Sequence, residues 1–208
     1  AALHKNGQFQ TAMDQFKKYD QKAKEKDKKY YGVAEQMIQC QFAIKSVENQ
    51  VTANISPLSD SINSKYNEYH PTFSADGKTM IFTSRRNSDD NSNLLPDNQY
   101  LEKVYISKWN NNGEYLGQPK MIESISKMKG YISNTSLSSD GKTLYIYLNN
   151  PDENDNIFRT AGAGDIYVSK SNDGVWSKPK PIEEINTTFY EGGASISSDG
   201  TKLFFISN

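Results

Sequence analysis

The sequence predicts a mainly β chain of repeated four-stranded units behind a short α-helical segment, and three observations predict it. The stretch SADGKTMIFTS, Ser74 to Ser84, returns as SSDGKTLYIYL (Ser138 to Leu148) and as SSDGTKLFFIS (Ser197 to Ser207). Near residue 52 the apolar period falls from about 3.6 residues to about 2, and Gly, Asn, Asp and Ser begin to punctuate short apolar runs. The second strand of each copy is apolar on both faces: Met80 and Phe82 opposite Ile81, Leu144 and Ile146 opposite Tyr145 and Tyr147, Leu203 and Phe205 opposite Phe204 and Ile206. A sheet with one solvated face would alternate with polar residues, so each unit is expected to be sandwiched between neighbours.

Residues 1–51 read as helices. Leu3, Ala12, Phe16 and Tyr19 fall near turn spacing, with Gly7 ending one helix before the next begins, and Val33, Met37, Cys40, Phe42 and Ile44 give a later helix an apolar face. Between them Lys22, Lys24, Lys26, Lys28 and Lys29 form a basic run that reads as a solvated helix end and loop. Cys40 is the single cysteine, which excludes an intrachain disulfide and points to a buried thiol.

Beyond residue 52 a period near 60 organises the chain. Asp76, Asp140 and Asp199 are 64 and 59 residues apart; Val104–Lys108 recurs as Ile166–Lys170 at 62, and GQPKMI at 117–122 answers SKPKPI at 177–182 at 60. Ile62-Asn63-Ser64 and Ile185-Asn186-Thr187 are 123 apart, the separation of Asp76 from Asp199. Four short strands in such a period make a propeller blade with some long loops. The expected fold is a partial β-propeller of about two and a half four-stranded blades: a closing outer strand in 52–62, blade one in 69–127, blade two in 131–187 and a half blade in 192–208. Strands are expected near 70–75, 79–85, 103–109 and 119–125, then near 133–138, 143–149, 165–170 and 180–185, then near 193–197 and 202–207. Because a propeller needs at least about four blades to close, the chain is expected to be a piece of a larger protein.

The repeated carboxylate reads as turn chemistry. In Asp76-Gly77, Asp140-Gly141 and Asp199-Gly200 glycine accepts a positive φ and aspartate bonds its own turn, which predicts a two-residue hairpin connection. Asn112-Gly113 and Asp173-Gly174 repeat the pattern in the following hairpin.

A net charge of -1, from 24 basic and 25 acidic residues, gives no field that would draw nucleic acid. Arg85, Arg86 and Arg159 are the sole arginines, which leaves few bidentate anchors for phosphate. No run approaches the roughly 18 apolar residues of a membrane-spanning helix. The opening AALHKNG lacks a charged start and a cleavage site, so any export signal is expected to have been removed.

Pro71-x-Phe73-Ser74-x-Asp76-Gly77-Lys78-x-Met80-x-Phe82-x-Ser84 resembles the WD40-like repeat of TolB-type propellers. The other copies depart from it, with Thr135 and Ala194 at the proline, Leu137 and Ile196 at the aromatic position, and Thr201-Lys202 exchanging the lysine position. Gly7-x-Phe9-x-x-Ala12-x-x-x-Phe16 resembles the turn and second helix of a tetratricopeptide repeat, which implies further helices upstream. This domain order is similar to that of the periplasmic OmpA-family propeller proteins of Bacteroidetes, the PorE-like group of type IX secretion. The resemblance implies a periplasmic, outer-membrane-associated scaffold. Its partners would be other envelope proteins and, through an OmpA-like domain outside these residues, peptidoglycan.

Catalytic chemistry has little support in the sequence. His4 and His70 are the two histidines, and His70, before Pro71 at a strand start, reads as a packed or surface side chain. No zinc spacing, phosphate loop or HExxH occurs, so no cofactor is expected. The acidic loops 87–91 and 152–156 offer Asp89, Asp90, Asp152 and Asp155 as calcium candidates, although without a DxDxDG template they read as solvated loops. Tyr100, Trp109, Tyr115, Trp176 and Tyr190 are candidates for a partner-binding rim, some of which must serve blade packing. The expectation is a non-enzymatic interaction scaffold. Alternatives are the substrate-gating propeller of a prolyl-oligopeptidase-like peptidase and a calcium- or glycan-binding propeller.

Overall fold

A computed structural model describes residues 2–88, 94–109, 112, 118–149 and 164–208. Asp89, Asp90, Tyr115, Asp152, Asp155 and Gly113 lie outside them. The chain divides into two compact units, Ala1–Ser56 and Pro57–Asn208.

The first unit is helical: α1 Ala2–Lys5, α2 Phe9–Lys22, α3 Glu25–Tyr30 and α4 Val33–Glu48. α2 packs on α4 around Ala12, Met13 and Cys40, with Leu3, Phe16 and Met37 at the margin. Cys40 is 0% exposed, and burial pushes its thiol pKa up, so it packs as a small apolar residue. In the lysine run, Lys28 pairs with Glu25 at 2.7 Å and Asp20 at 3.5 Å.

The second unit is mainly β. Its first sheet is β1 Glu68–Phe73, β2 Thr79–Ser84, β3 Lys103–Lys108 and β4 Lys120–Met121, antiparallel in that order, followed by α5 Glu123–Ser126. The second sheet is β5 Tyr131–Leu137, β6 Thr143–Asn149, β7 Asp165–Asn172, β8 Val175–Trp176 and β9 Lys180–Pro181, with both β8 and β9 paired to β7. β10 Glu191–Ile196 and β11 Leu203–Ser207 form a third, two-stranded sheet. β5 packs against β1, β2 and β3, and β10 against β5, β6 and β7. β5 and β10 therefore each lie against the preceding sheet, which is consistent with a partial propeller. Two-sided burial follows: Met80, Ile81 and Phe82 are all inside, and Ile81 joins Val104, Ile132, Leu144, Ile146 and Trp176 in one core cluster.

The expected fourth strands, 119–125 and 180–185, shrink to two residues each, because side chains replace the ladder. The Ser126 hydroxyl accepts the Val104 N–H at 2.9 Å and donates to its carbonyl at 3.2 Å. In the second sheet the Asn186 amide does the same for Ile166, at 2.9 and 2.8 Å. Over 52–62, where a closing strand is expected, there is no strand. The Ser59 carbonyl accepts the amides of Ile62 and Asn63 in a turn that seats Ile62 beside Met80, Phe82 and Tyr105.

The Asp-Gly connections are also longer than two residues. Ser74 and Thr79 close the first one, with Ser74 N–H donating to the Thr79 carbonyl at 3.0 Å, and four residues stand between them. Ser138/Thr143 and Ser197/Lys202 close the other two in the same way. Asp76 keeps negative φ and its Oδ1 accepts both the Ser74 hydroxyl, at 2.7 Å, and the Lys78 N–H, at 3.0 Å. Asp140 and Asp199 repeat both bonds. The serine hydroxyl foremost, then the backbone N–H, holds each of the three carboxyls below its ordinary pKa. Asp173-Gly174, with φ of 50° and 84°, is the true two-residue hairpin, closing Asn172 on Val175.

Successive turns also touch. Ala75 N–H donates to the Ser139 carbonyl at 3.1 Å, and the Ser139 hydroxyl donates to the Ser198 carbonyl at 2.6 Å. Gly77 and Gly141 both have left-handed φ, but a Cβ on Gly77 would meet nothing, whereas one on Gly141 would lie 3.2 Å from Ser74 Cβ. Gly77→Ala is expected to cost about 1 kcal/mol from backbone strain, and Gly141→Ala about 2 kcal/mol. Equal losses in urea unfolding would show that the turns do not press on one another.

Candidate functional site

All three first strands carry a β-bulge: between Tyr69 and Thr72, between Asn134 and Ser136, and between Gly192 and Ser195. At the first bulge His70 adopts φ 52°, and at the third Gly193 adopts φ 60°. The bulges re-aim backbone polar groups toward the neighbouring sheet. Asn134, 0% exposed, takes the groups freed at the first bulge: its Nδ2 donates to the His70 carbonyl at 2.7 Å and to Thr72 Oγ1 at 3.3 Å. Thr83 Oγ1 donates to Asn134 Oδ1 at 2.7 Å and accepts the Asn134 N–H at 3.1 Å. His70 Nδ1 lies 2.6 Å from Ser133 Oγ, whose hydroxyl also reaches the Asn134 carbonyl at 3.1 Å. His70 is thus an exposed side chain tied across two sheets, and Ser133 is 7% exposed and held by three neighbours.

A second device clamps strand one to the end of strand two. Glu191, 0% exposed, accepts the Thr187 N–H at 2.9 Å, the Thr187 hydroxyl at 2.7 Å and the Ser207 hydroxyl at 3.0 Å. Burial alone would raise its pKa, but these hydrogen bonds hold the carboxyl below its ordinary range. Glu68 takes the same bonds from Ser64 N–H, Ser64 Oγ and Ser84 Oγ, at 3.0, 2.6 and 2.8 Å, and adds Arg86 Nη2 at 3.2 Å. In the second sheet the equivalent pair is Ile132 opposite Leu148.

Where the three sheets meet at their first strands there is a cleft of about 540 Å³. Tyr69 and His70 line it from the first sheet, with Glu102 just before β3; Tyr131, Ser133, Thr135 and Tyr147 line it from the second, and Tyr190, Gly193 and Ser195 from the third. Tyr147 and Tyr190 meet with ring centroids 5.7 Å apart. Burial, chiefly, and the charge of Glu102 push the Tyr69 hydroxyl pKa well up, and burial does the same for Tyr147, helped by Tyr190. These phenols are neutral hydrogen-bonding groups at any physiological pH.

Of the rim candidates, Tyr190 alone lines this cleft among the described residues. Tyr100 packs edge-on against Tyr66 at 5.3 Å. Trp109 packs on Phe73 and against the Met80, Phe82 and Tyr105 cluster, and Trp176, 7% exposed, belongs to the central core. Packing of the sheets claims both tryptophans. Tyr69, Glu102 and Tyr131 were not singled out by sequence, and Tyr147 was read only as strand packing; part of the signal is a phenol where another copy carries a small hydroxyl residue, as Tyr147 does against Thr83 and Tyr69 against Ser133. Among the described residues no group of three or more His, Cys, Asp or Glu stands where it could hold a metal ion, and no helix is long and apolar enough to cross a membrane.

No family model matches the chain, and no curated protein matches it. Among solved structures it is similar to a chain assigned to TolB from Agrobacterium tumefaciens, at 17% identity and a TM-score of 0.33, over 69% of this chain. The match spans about half, 55%, of that chain's length.

Proposed function

We propose that this chain is a non-catalytic protein-interaction scaffold of the bacterial cell envelope. One observation carries the reading: the cleft between the three sheets is walled by tyrosines contributed by separate sheets, and such rings are rigid amphipathic anchors for a protein partner. The polar groups that invite a catalytic reading are spent on structure. The repeated aspartates bond their own turns, Glu68 and Glu191 clamp strands, and Ser133 joins a cross-sheet network. A periplasmic setting, the tetratricopeptide nature of the helices, and a place in type IX secretion or gliding, linked to peptidoglycan through an OmpA-like domain elsewhere, are supported by the sequence resemblance.

Affinity capture of the intact protein from cross-linked envelopes tests this, with wild type beside a Tyr131→Ala/Tyr190→Ala variant. Both tyrosines are at the surface, so the fold should survive the double change. The expected result is an envelope protein recovered with wild type and reduced about tenfold or more with the variant. Unchanged recovery would remove the cleft as the docking surface. A peptidase activity abolished by His70→Ala or Ser133→Ala would replace the scaffold with an enzyme.

A further inference from the structure

We propose that the cleft receives one basic side chain, lysine or arginine, from a partner polypeptide, with Glu102 as its counter-charge and the tyrosines as its walls. The inference rests on the interaction-scaffold reading and names the chemistry the same cleft selects.

The charge balance around Glu102 is the starting point. Arg85 is the nearest cation, and its guanidinium is shared: Nη1 and Nη2 bond Asp97 at 2.6 and 3.2 Å, and Nε donates to the Tyr100 carbonyl at 2.8 Å. Glu102 Oε1 stands 3.6 Å from that Nε, beyond a hydrogen bond. One guanidinium thus serves two carboxylates, Asp97 and Glu102. The neighbouring Lys103 ammonium is turned to the Ser126 carbonyl at 2.6 Å.

Glu102 Oε2 is shut off from solvent and makes no hydrogen bond. A carboxylate oxygen taken out of water without a donor is costly, and a cation with N–H groups completes it best. The walls favour the same ligand. Tyr69 directs its hydroxyl at Glu102, and Tyr131, Tyr147 and Tyr190 add rings whose faces attract cations. Asp165, within electrostatic reach of Tyr147, adds a further negative group on β7, and His70 lines the cleft from β1. An anionic ligand would be repelled by Glu102, an apolar one would bring Oε2 no donor, and a neutral donor would bring a weaker hydrogen bond than a cation. A volume of about 540 Å³ suits a long side chain with its flanking backbone.

The test is an NMR titration of the intact protein, reading tyrosine ring resonances, with Nα-acetyl-lysine and Nα-acetyl-arginine N-methylamides as probes. Their norleucine and citrulline counterparts are the neutral controls, and putrescine stands for a free amine. The basic derivatives should bind saturably and at least about tenfold more tightly than the neutral ones. Glu102→Gln should weaken the basic probes by about tenfold and leave the neutral ones unchanged. Tyr190→Ala, at an exposed position, should weaken the basic probes several-fold; it decides the matter if Glu102→Gln fails to fold. Equal binding of neutral and basic probes, or a folded Glu102→Gln that binds as wild type, overturns the proposal. Putrescine binding more tightly than the lysine derivative overturns the polypeptide assignment. Either failure would leave capture of an envelope partner to stand or fall by itself.

Discussion

Asn134→Leu should destabilise the β unit by about 3 kcal/mol, the larger part of what one side chain can contribute to a domain of this size. Leucine keeps the branched heavy-atom skeleton of asparagine, so the larger part of the loss is polar and the rest is crowding at a fully buried site. It strands the His70 carbonyl that the bulge points at Asn134, and it leaves the buried Thr83 hydroxyl without its acceptor. Urea unfolding of the whole chain followed by tryptophan fluorescence reads the effect on both sides of the boundary. Trp109 reports on the first sheet and Trp176 on the second, and both transitions should move to lower urea together. Because Thr83 and Asn134 exchange bonds reciprocally, Thr83→Val and Asn134→Leu should be non-additive by about 1 kcal/mol. Additive losses, or a shift confined to one tryptophan, would show that the network does not join the sheets.

Glu191→Gln should cost about 2 kcal/mol at neutral pH, since the carboxylate accepts three charge-assisted bonds and the amide nitrogen cannot accept any. The dependence on pH has a definite sign. With a folded pKa depressed below the unfolded value of about 4.3, the carboxylate's contribution is fully present above that value and is lost as pH falls through the folded pKa. The stability gap between wild type and Glu191→Gln should therefore be constant from neutral pH to about pH 5 and narrow below about 4.3. Asp76, Asp140 and Asp199 titrate with the same sign but are common to both proteins, so they cancel in the difference. A gap that is flat down to pH 3, or that widens, would mean that Glu191 does not hold its donors as a carboxylate.

How legible this was in the sequence depended on whether a feature is local. The Asp-Gly-containing connections and the two-sided second strands are written in short stretches and recur, so they located the sheets to within a few residues. The equivalence of Ile62-Asn63-Ser64 with Ile185-Asn186-Thr187 was also visible, and the clamps to Glu68 and Glu191 give part of its physical meaning. The length of the fourth strands was not legible, because Ser126 and Asn186 satisfy the backbone of strands some 20 residues away. Nor was the cleft. Residues 69, 102, 131, 147 and 190 have no common spacing, and they meet because bulged first strands lie on neighbouring sheets. The loop aromatics are illegible for the opposite reason: Trp109 and Trp176 sit beside turns in sequence yet pack into core clusters, Trp176 into the one that the first two sheets share.

The apolar pair Ile132 and Leu148, standing where the flanking repeats keep a carboxylate and a serine, sets the middle copy apart from both of its neighbours. Were β5 to take the place of β1 beside β2 during folding, Ser64, Ser84 and Arg86 would lose their shared acceptor; were β1 to pair with β6, Glu68 would be buried against Leu148 with no donor. Tandem repeats are prone to such out-of-order assembly. A single hydrophobic copy in the middle thus serves as an address label, penalising every exchange of neighbouring strands.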